Sequence, residues 1–328
     1  MQQVFDTWVT RTLGIRHPVL IGGMMWLGRA ELVAGVVNAG ATGFISALTF
    51  SDPVALRDEI QKCRDLTENG RFGVNLYIST RPDANERLLP LLDVVCDEGI
   101  PFVETSGAKP TALLPKLREA QVIIIHKVPA VRYALSAEKA GVDAVIVVGA
   151  ECGGHPGHLM IGTMIQGGLA PRKLSIPVIL GGGIGTGSQL AAALAMGCEG
   201  VLMGTRMMVA EEAVPHDDFK QRVISSDGTD SVVVETSMKN HHRVLHNDAA
   251  AEVMELEARG VDDFEQYRPI INGEEAWNAF ATGDVSRGLI DFGQSACFAD
   301  AIEPAATIIE NMVNDAKHAA ELLANRLL

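Results

Sequence analysis

A (β/α)8 barrel is the fold class the sequence predicts, and three observations predict it. Short apolar, β-branched runs recur at residues 19–24, 42–47, 72–78, 102–107, 122–127, 144–149, 178–183 and 201–205. Amphipathic segments fill the gaps, so each run opens one strand–helix unit. The last two runs both end in glycine, at Gly181, Gly182 and Gly183 and again at Gly204. That late pair is where a barrel of this kind commonly holds a phosphate, after strands seven and eight.

The runs are almost continuously apolar rather than alternating, as expected of parallel strands covered on both faces by helices. Residues 29–38 carry Ala30, Leu32, Val33, Val36 and Val37 at helical spacing, and Gly40 follows as a helix-ending residue. Asp52 and Pro53 open the next helix as N-cap and first helical residue, with Leu56, Ile60 and Cys63 on one face. Residues 86–97, 110–118, 130–140, 163–173 and 187–196 repeat the pattern. A doubly wound open sheet would set its glycine fingerprint after the first strand. Here the fingerprint falls in the seventh unit, which favours the closed barrel.

The barrel is expected over residues 1–213. Residues 214–284 are richer in charge and predict an inserted, mainly helical cap, with a helical pattern at 249–259. Residues 285–328 form a third segment, in which residues 300–328 regain helical periodicity through Ala301, Ile308, Ile309, Met312 and Ala316. They are expected to return and pack on the barrel.

Hydrophobic residues make up 47% of the chain, enough for a full core, yet no apolar run is long enough for a membrane span. A net charge of −14 argues against nucleic acid as a partner. Five widely spaced cysteines without a C-x-x-C pair, and no basic-then-apolar leader, lead us to expect a reduced cytoplasmic protein without disulfides or zinc. His242 and His246 have the i, i+4 spacing of helical metal ligands, but no glutamate completes such a motif. No metal is expected.

Chemistry in this fold collects at the C-terminal ends of the strands. Strand one ends in Gly22, Gly23 and Met24; paired glycines let a flat ring approach the main chain, and a methionine offers a soft contact. Strand three carries Asn75, whose amide suits a heteroaromatic edge or a turn. Strand five ends in His126 and Lys127. A lysine finishing a buried strand must face the open end, where it could balance a bound cofactor's charge or form a Schiff base. Its neighbour His126 should point the other way and be structural. Strand six runs into Glu151, Cys152, Gly153, Gly154, His155, Pro156 and Gly157. A histidine in a glycine-rich loop at the barrel mouth suits acid–base work, and His155 is the catalytic candidate. Cys152 could be read as a nucleophile, but nothing in its surroundings lowers its pKa.

Taken together, these residues resemble the nitronate monooxygenase family, formerly the 2-nitropropane dioxygenases. The resemblance rests on His17-Pro18 before Gly22–Arg29, on residues 72–76 around Asn75, and on His126-Lys127. It also rests on residues 151–157, the Gly181–Gly183 turn, and Met203-Gly204-Thr205-Arg206. The turn after strand one is closest to the family's NADH:quinone reductase branch. The resemblance implies FMN as cofactor, with Gly22, Gly23 and Met24 under its ring, Asn75 and Lys127 in contact with the ring and Gly153 bordering it. It further implies that Gly181, Gly182, Gly183, Gly204 and Thr205 hold the phosphate, that His155 is the active-site histidine, and that Gln294 lies near the flavin. The activity implied is oxidation of alkyl nitronates with O2. NAD(P)H:quinone reduction and reduction of an enoyl or acyl thioester are the alternatives, with NADH or NADPH as donor. The partner expected is a small-molecule substrate, and a homodimer is compatible with the family.

Overall fold

The computed structural model describes residues 4–68, 70–81 and 85–327. Eight parallel strands close on themselves in sequence order: β1 (Val19–Ile21), β2 (Thr42–Ser46), β3 (Gly73–Ile78), β4 (Phe102–Gly107), β5 (Ile123–Val128), β6 (Ala144–Val148), β7 (Val178–Gly181) and β8 (Gly200–Met203). Closure is made by β1 against β8, with Leu20 opposite Leu202. All eight expected runs form these strands.

Helices cover the outside. After a short helix α1 (Trp8–Leu13) come α2 (Ala30–Asn38), α3 (Pro53–Leu66), α4 (Leu88–Asp97), α5 (Leu114–Glu119), α6 (Val131–Ala140), α7 (Thr163–Lys173) and α8 (Gly187–Ala195). Asp52 caps α3 by accepting from the main-chain N–H of Val54 and Ala55, with Pro53 at the first helical position, as its sequence requires. The apolar faces of these helices and the outward side chains of the strands form one core. A second core fills the barrel interior with Leu20, Phe44, Phe102, Ile125, Ile146, Ile179 and Leu202. Val9, Leu13 and Ile15 belong to this inner cluster, so α1 closes the N-terminal end of the barrel.

Beyond β8, a 3-10 turn (Thr205–Val209) leads to α9 (Asp217–Ile224), α10 (Asp248–Ala258), α11 (Phe264–Tyr267) and α12 (Gly273–Thr282). This part is not purely helical. Between α9 and α10 stands an antiparallel hairpin of β9 (Ser231–Val234) and β10 (His242–Leu245). His242 therefore lies on a strand, and the i, i+4 helical pairing with His246 does not form. The last helix, α13 (Ala305–Ala324), returns to the barrel and packs on α8 and α2. No helix among the described residues is long and apolar enough to cross a membrane.

Candidate active site

Strand register decides which side chains meet inside the barrel. Asn75 pairs with Glu104 across β3 and β4, and Ser106 pairs with Lys127 across β4 and β5. Paired residues of neighbouring parallel strands share a face. Asn75, Glu104 and Lys127 therefore point inward together. Glu104 Oε1 accepts from Asn75 Nδ2 at 2.7 Å and pairs with Lys127 Nζ at 2.7 Å. Glu104 is fully buried, and its second oxygen, Oε2, has no protein partner among the described residues. Sequence reading missed Glu104, although the argument applied to Lys127 finds it: a lone charge in a buried strand needs a partner.

His126 takes the opposite face. It is buried against the helical layer, with Nδ1 2.9 Å from Thr105 Oγ1, and burial holds its pKa down at about 4. Cys152 has its thiol pushed up to about 12 by burial, so it carries no thiolate at neutral pH. Glu151 is spent capping α7, accepting from the N–H and hydroxyl of Thr163.

The glycine rim lies where β7 and β8 end. Gly182 and Gly183 adopt φ of +93° and +69°, the left-handed region that glycine alone enters without strain. Gln189 at the start of α8 holds this turn, donating to the Gly183 carbonyl at 2.9 Å and accepting from the Gly185 N–H at 2.8 Å. Thr186 is the N-cap of α8, so the positive end of a helix faces the turn. Among the described residues no acceptor meets the N–H of Gly183 or Gly204. A Cβ placed on Gly204 would find nothing nearer than Met24 Sδ, 3.9 Å away. Thr205 Oγ1 accepts from the Gly293 N–H at 2.9 Å, which leaves its own proton to give. At strand one, a Cβ on Gly23 would overlap the Asn75 side chain, so the main chain there passes directly over the amide.

The loop carrying His155 is sewn to the β9–β10 hairpin. Gly154 and Arg243 exchange main-chain hydrogen bonds of 3.0 and 2.6 Å. Along the same edge of β10, the Leu245 N–H reaches the Ile290 carbonyl at 2.9 Å. Gly153 abuts Gly293, and the Gln294 N–H donates to the Glu151 carbonyl at 3.0 Å. Thus the 150–155 loop, β10 and residues 290–294 form one continuous wall. His155 is exposed on it and stacks on His242, ring centroids 4.4 Å apart and planes 12° from parallel. His242 Nδ1 lies 3.1 Å from Glu235 Oε2 and its Nε2 lies 2.6 Å from Asp291 Oδ1. Burial opposes a charge on His242, but the two carboxylates overrule it and raise its pKa to about 9. Ligand atoms of His155, Glu235 and His242 fall within 4.8 Å of one another. With a carboxylate on each nitrogen, however, His242 has the surroundings of an imidazolium rather than of a metal-bound ring.

A second wall is aromatic. Trp26, with φ of +68°, is held by its N–H on Thr49 Oγ1 at 3.0 Å and by Arg29 Nε on its carbonyl at 2.9 Å. Its ring lies 5.5 Å from that of Trp277 on α12, and the Arg29 guanidinium sits 5.5 Å over the Trp277 and Phe50 rings.

A closed barrel with a glycine rim between β7 and β8, an inward Asn–Glu–Lys cluster and a loop histidine at its mouth has the architecture of a (β/α)8 enzyme. Comparison with known proteins identifies the family: its nitronate monooxygenase model matches residues 6–315. This chain belongs to the nitronate monooxygenase family, a group of flavin-using oxidoreductases. A probable nitronate monooxygenase of Staphylococcus aureus is 28% identical, over 93% of this chain and 96% of that protein. A (3aS,4S,5R,7aS)-5-hydroxy-7a-methyl-1-oxo-octahydro-1H-indene-4-carboxyl-CoA dehydrogenase of Rhodococcus jostii is 34% identical over 74% of this chain. The match spans 66% of that relative's length, just under two thirds. Among solved structures, FabK from Thermotoga maritima superposes with a TM-score of 0.89 at 33% identity, covering 99% of this chain and 100% of that one. Nitroalkane oxidase from Streptomyces ansochromogenes, at 23% identity and a TM-score of 0.81, shares the fold.

Proposed function

We propose that this chain is an FMN-dependent oxidoreductase that oxidises alkyl nitronates with O2. The observation that carries the reading is the Asn75–Glu104–Lys127 cluster beside a glycine rim with unclaimed main-chain N–H groups. Bound FMN would supply reversible uptake of one or two electrons. Gly181, Gly182, Gly183, Gly204 and Thr205 are the residues we assign to its phosphate, as main-chain donors and one hydroxyl. The open space over Gly204 and the free N–H of Gly183 suit that role. We assign Gly22, Gly23, Met24 and Gly153 to the faces and border of the flavin ring, and Gln294 to its neighbourhood. Asn75 would hydrogen-bond the ring edge. Lys127, steadied by Glu104, would set a positive charge beside the ring and favour its anionic form.

His155 is the catalytic residue we assign. Crowding by surrounding protein, then the neighbouring His242, holds its pKa below the usual histidine value. It is therefore a neutral imidazole at physiological pH, able to accept the α-proton of a nitroalkane or to hydrogen-bond the nitro group of a nitronate. The functional division we propose is a barrel of residues 1–213, a cap of 214–284 and a returning segment of 285–328. We take the protein to be cytoplasmic and to act on small molecules, with a homodimer as the assembly to test by light scattering.

The test is anaerobic mixing of the yellow protein with ethylnitronate or propionate 3-nitronate, followed by oxygen uptake. Bleaching by nitronate, and loss of turnover with retained FMN in His155→Ala, are expected. A colourless protein, or a yellow one that no nitronate bleaches, overturns the reading. NAD(P)H:quinone reduction is the second reading, and the Trp26–Trp277–Arg29 wall favours it as a surface for a flat aromatic acceptor. Rapid bleaching by NADH or NADPH with quinone-dependent turnover would identify that activity. The CoA ester named in the Rhodococcus relative puts an enoyl or acyl thioester on the same panel.

A further inference from the structure

We propose that His242 is a positioning residue for His155: the cap hairpin delivers it to the catalytic loop, two carboxylates fix its ring, and its face sets the plane of the His155 imidazole while placing a positive charge beside it. The inference rests on the reading of His155 as the acid–base residue.

The geometry has three parts. First, the Gly154–Arg243 bridge joins the residue before His155 to the residue after His242, which brings the two rings to the same place. Second, both nitrogens of His242 face carboxylate oxygens, Glu235 at 3.1 Å and Asp291 at 2.6 Å. An imidazole donates from both nitrogens only when protonated. Third, the two rings stack at 4.4 Å and 12°. Ring N–H groups and lone pairs lie in the ring planes, so stacked rings cannot pass a proton between them. What His242 exerts on His155 is steric and electrostatic.

The charges around the pair come from several elements. Glu235 follows β9, Asp291 lies on the returning segment, and Lys127 projects from β5 close enough to help keep Asp291 ionised. Arg243 turns away, donating to the Ala150 carbonyl and to Ser231. Glu151 is committed to Thr163. For His155, crowding by surrounding protein comes first and the His242 charge second in lowering its proton affinity, while Asp291 and Glu235 act in the opposite sense. The pair therefore consists of one cation and one neutral ring at neutral pH. Removing the cation leaves two carboxylates facing His155 without their counter-charge.

The experiment is an NMR titration of histidine-labelled protein, as purified, between about pH 5 and about pH 9. Signals of His155 are those missing from His155→Gln, and signals of His242 those missing from His242→Gln. In His242→Gln the His155 midpoint is expected to rise by about one unit, a tenfold gain in proton affinity. The acid limb of the turnover profile should move with it. His242→Arg restores a cation and should bring the midpoint back down. An unmoved His155 midpoint in His242→Gln overturns the proposal. Should that variant not fold, unmodified protein and His155→Gln decide. A second histidine still protonated where His155 is neutral, with a midpoint well above the ordinary value, supports the proposal, and the absence of any histidine titrating above the ordinary value overturns it. These midpoints are read without any substrate, so failure of the FMN reading appears separately, as colourless protein or absent turnover.

Discussion

Gly154 and Arg243 lie 89 residues apart in sequence yet exchange a pair of main-chain hydrogen bonds, 3.0 Å in one direction and 2.6 Å in the other. Through this bridge the β9–β10 hairpin is a structural part of the loop that carries His155. The Arg243 side chain reinforces it through Nε to the Ala150 carbonyl at 2.9 Å and Nη1 to Ser231 Oγ at 3.1 Å. Arg243→Ala removes both charge-assisted bonds and should cost about 2–4 kcal/mol. Thermal unfolding checks the loss, and turnover should fall with it because His155 loses its support.

Glu104 supports both Asn75 and Lys127. Truncating one partner of a buried charged pair costs about 3–5 kcal/mol, because the other charge is stranded. Glu104→Ala should therefore fold poorly. Glu104→Gln keeps an acceptor for both and should fold, with weakened control of the ring edge. Chemical denaturation ranks the two variants, and the expected order is wild type, Gln, Ala.

Gly183→Ala tests the proposed phosphate-binding role of the glycine rim. At φ of +69° an L-residue pays about 1–2 kcal/mol, and the added Cβ would lie 2.8 Å from Glu151 Cβ. The turn must shift. FMN affinity should drop by about tenfold or more, equal to about 1.4 kcal/mol, while circular dichroism of the barrel stays unchanged. Retained stoichiometric flavin after gel filtration would count against the assignment of this turn.

Stability should fall on acidification. His126 and His17 are both buried, and burial lowers both pKa values to about 4. The unfolded chain binds these protons near pH 6.5, the folded chain only near 4. Their contribution is complete above about pH 6.5 and is lost as pH falls toward 4, by up to about 3 kcal/mol for each. Denaturation midpoints measured across that window should decline, and His126→Phe should flatten part of the slope.

Trp277 separates the two redox readings. If a flat acceptor rests against the Trp26–Trp277 pair, Trp277→Ala should raise the KM for a quinone by about tenfold, the worth of one aromatic contact. Steady-state turnover of a nitronate by the same variant should change less.

The barrel was legible because strands buried on both faces cannot avoid being apolar throughout. β5 and β6 read directly from Ile123, Ile124, Ile125 and from Ala144 to Val148. The glycine turns were legible for a related reason: at Gly182 and Gly183 the backbone permits little else. The β9–β10 hairpin was not seen. Val232, Val233 and Val234 carried a strand signal, but the partner strand contains His242 and Arg243, and a polar stretch separates the two. His242, Glu235 and Asp291 could not be joined to His155 from spacing, since the bridge that assembles them is made by main-chain groups. Glu104 was readable in principle and overlooked, because an acid inside an apolar strand carries a meaning only when its cationic neighbour is considered with it.

Helix α13 holds a final consequence. It packs on α8, and Asp315 Oδ2 accepts from the Ser188 N–H at 2.8 Å, in the first turn of the helix that opens behind the glycine rim. Gly187 has no room for a Cβ because the α13 main chain presses on it. In chain order this buttress follows all eight barrel strands. If the glycine rim holds a cofactor phosphate as proposed, α8 lacks its support until α13 has docked, and Asp315→Ala would weaken cofactor binding from a distance.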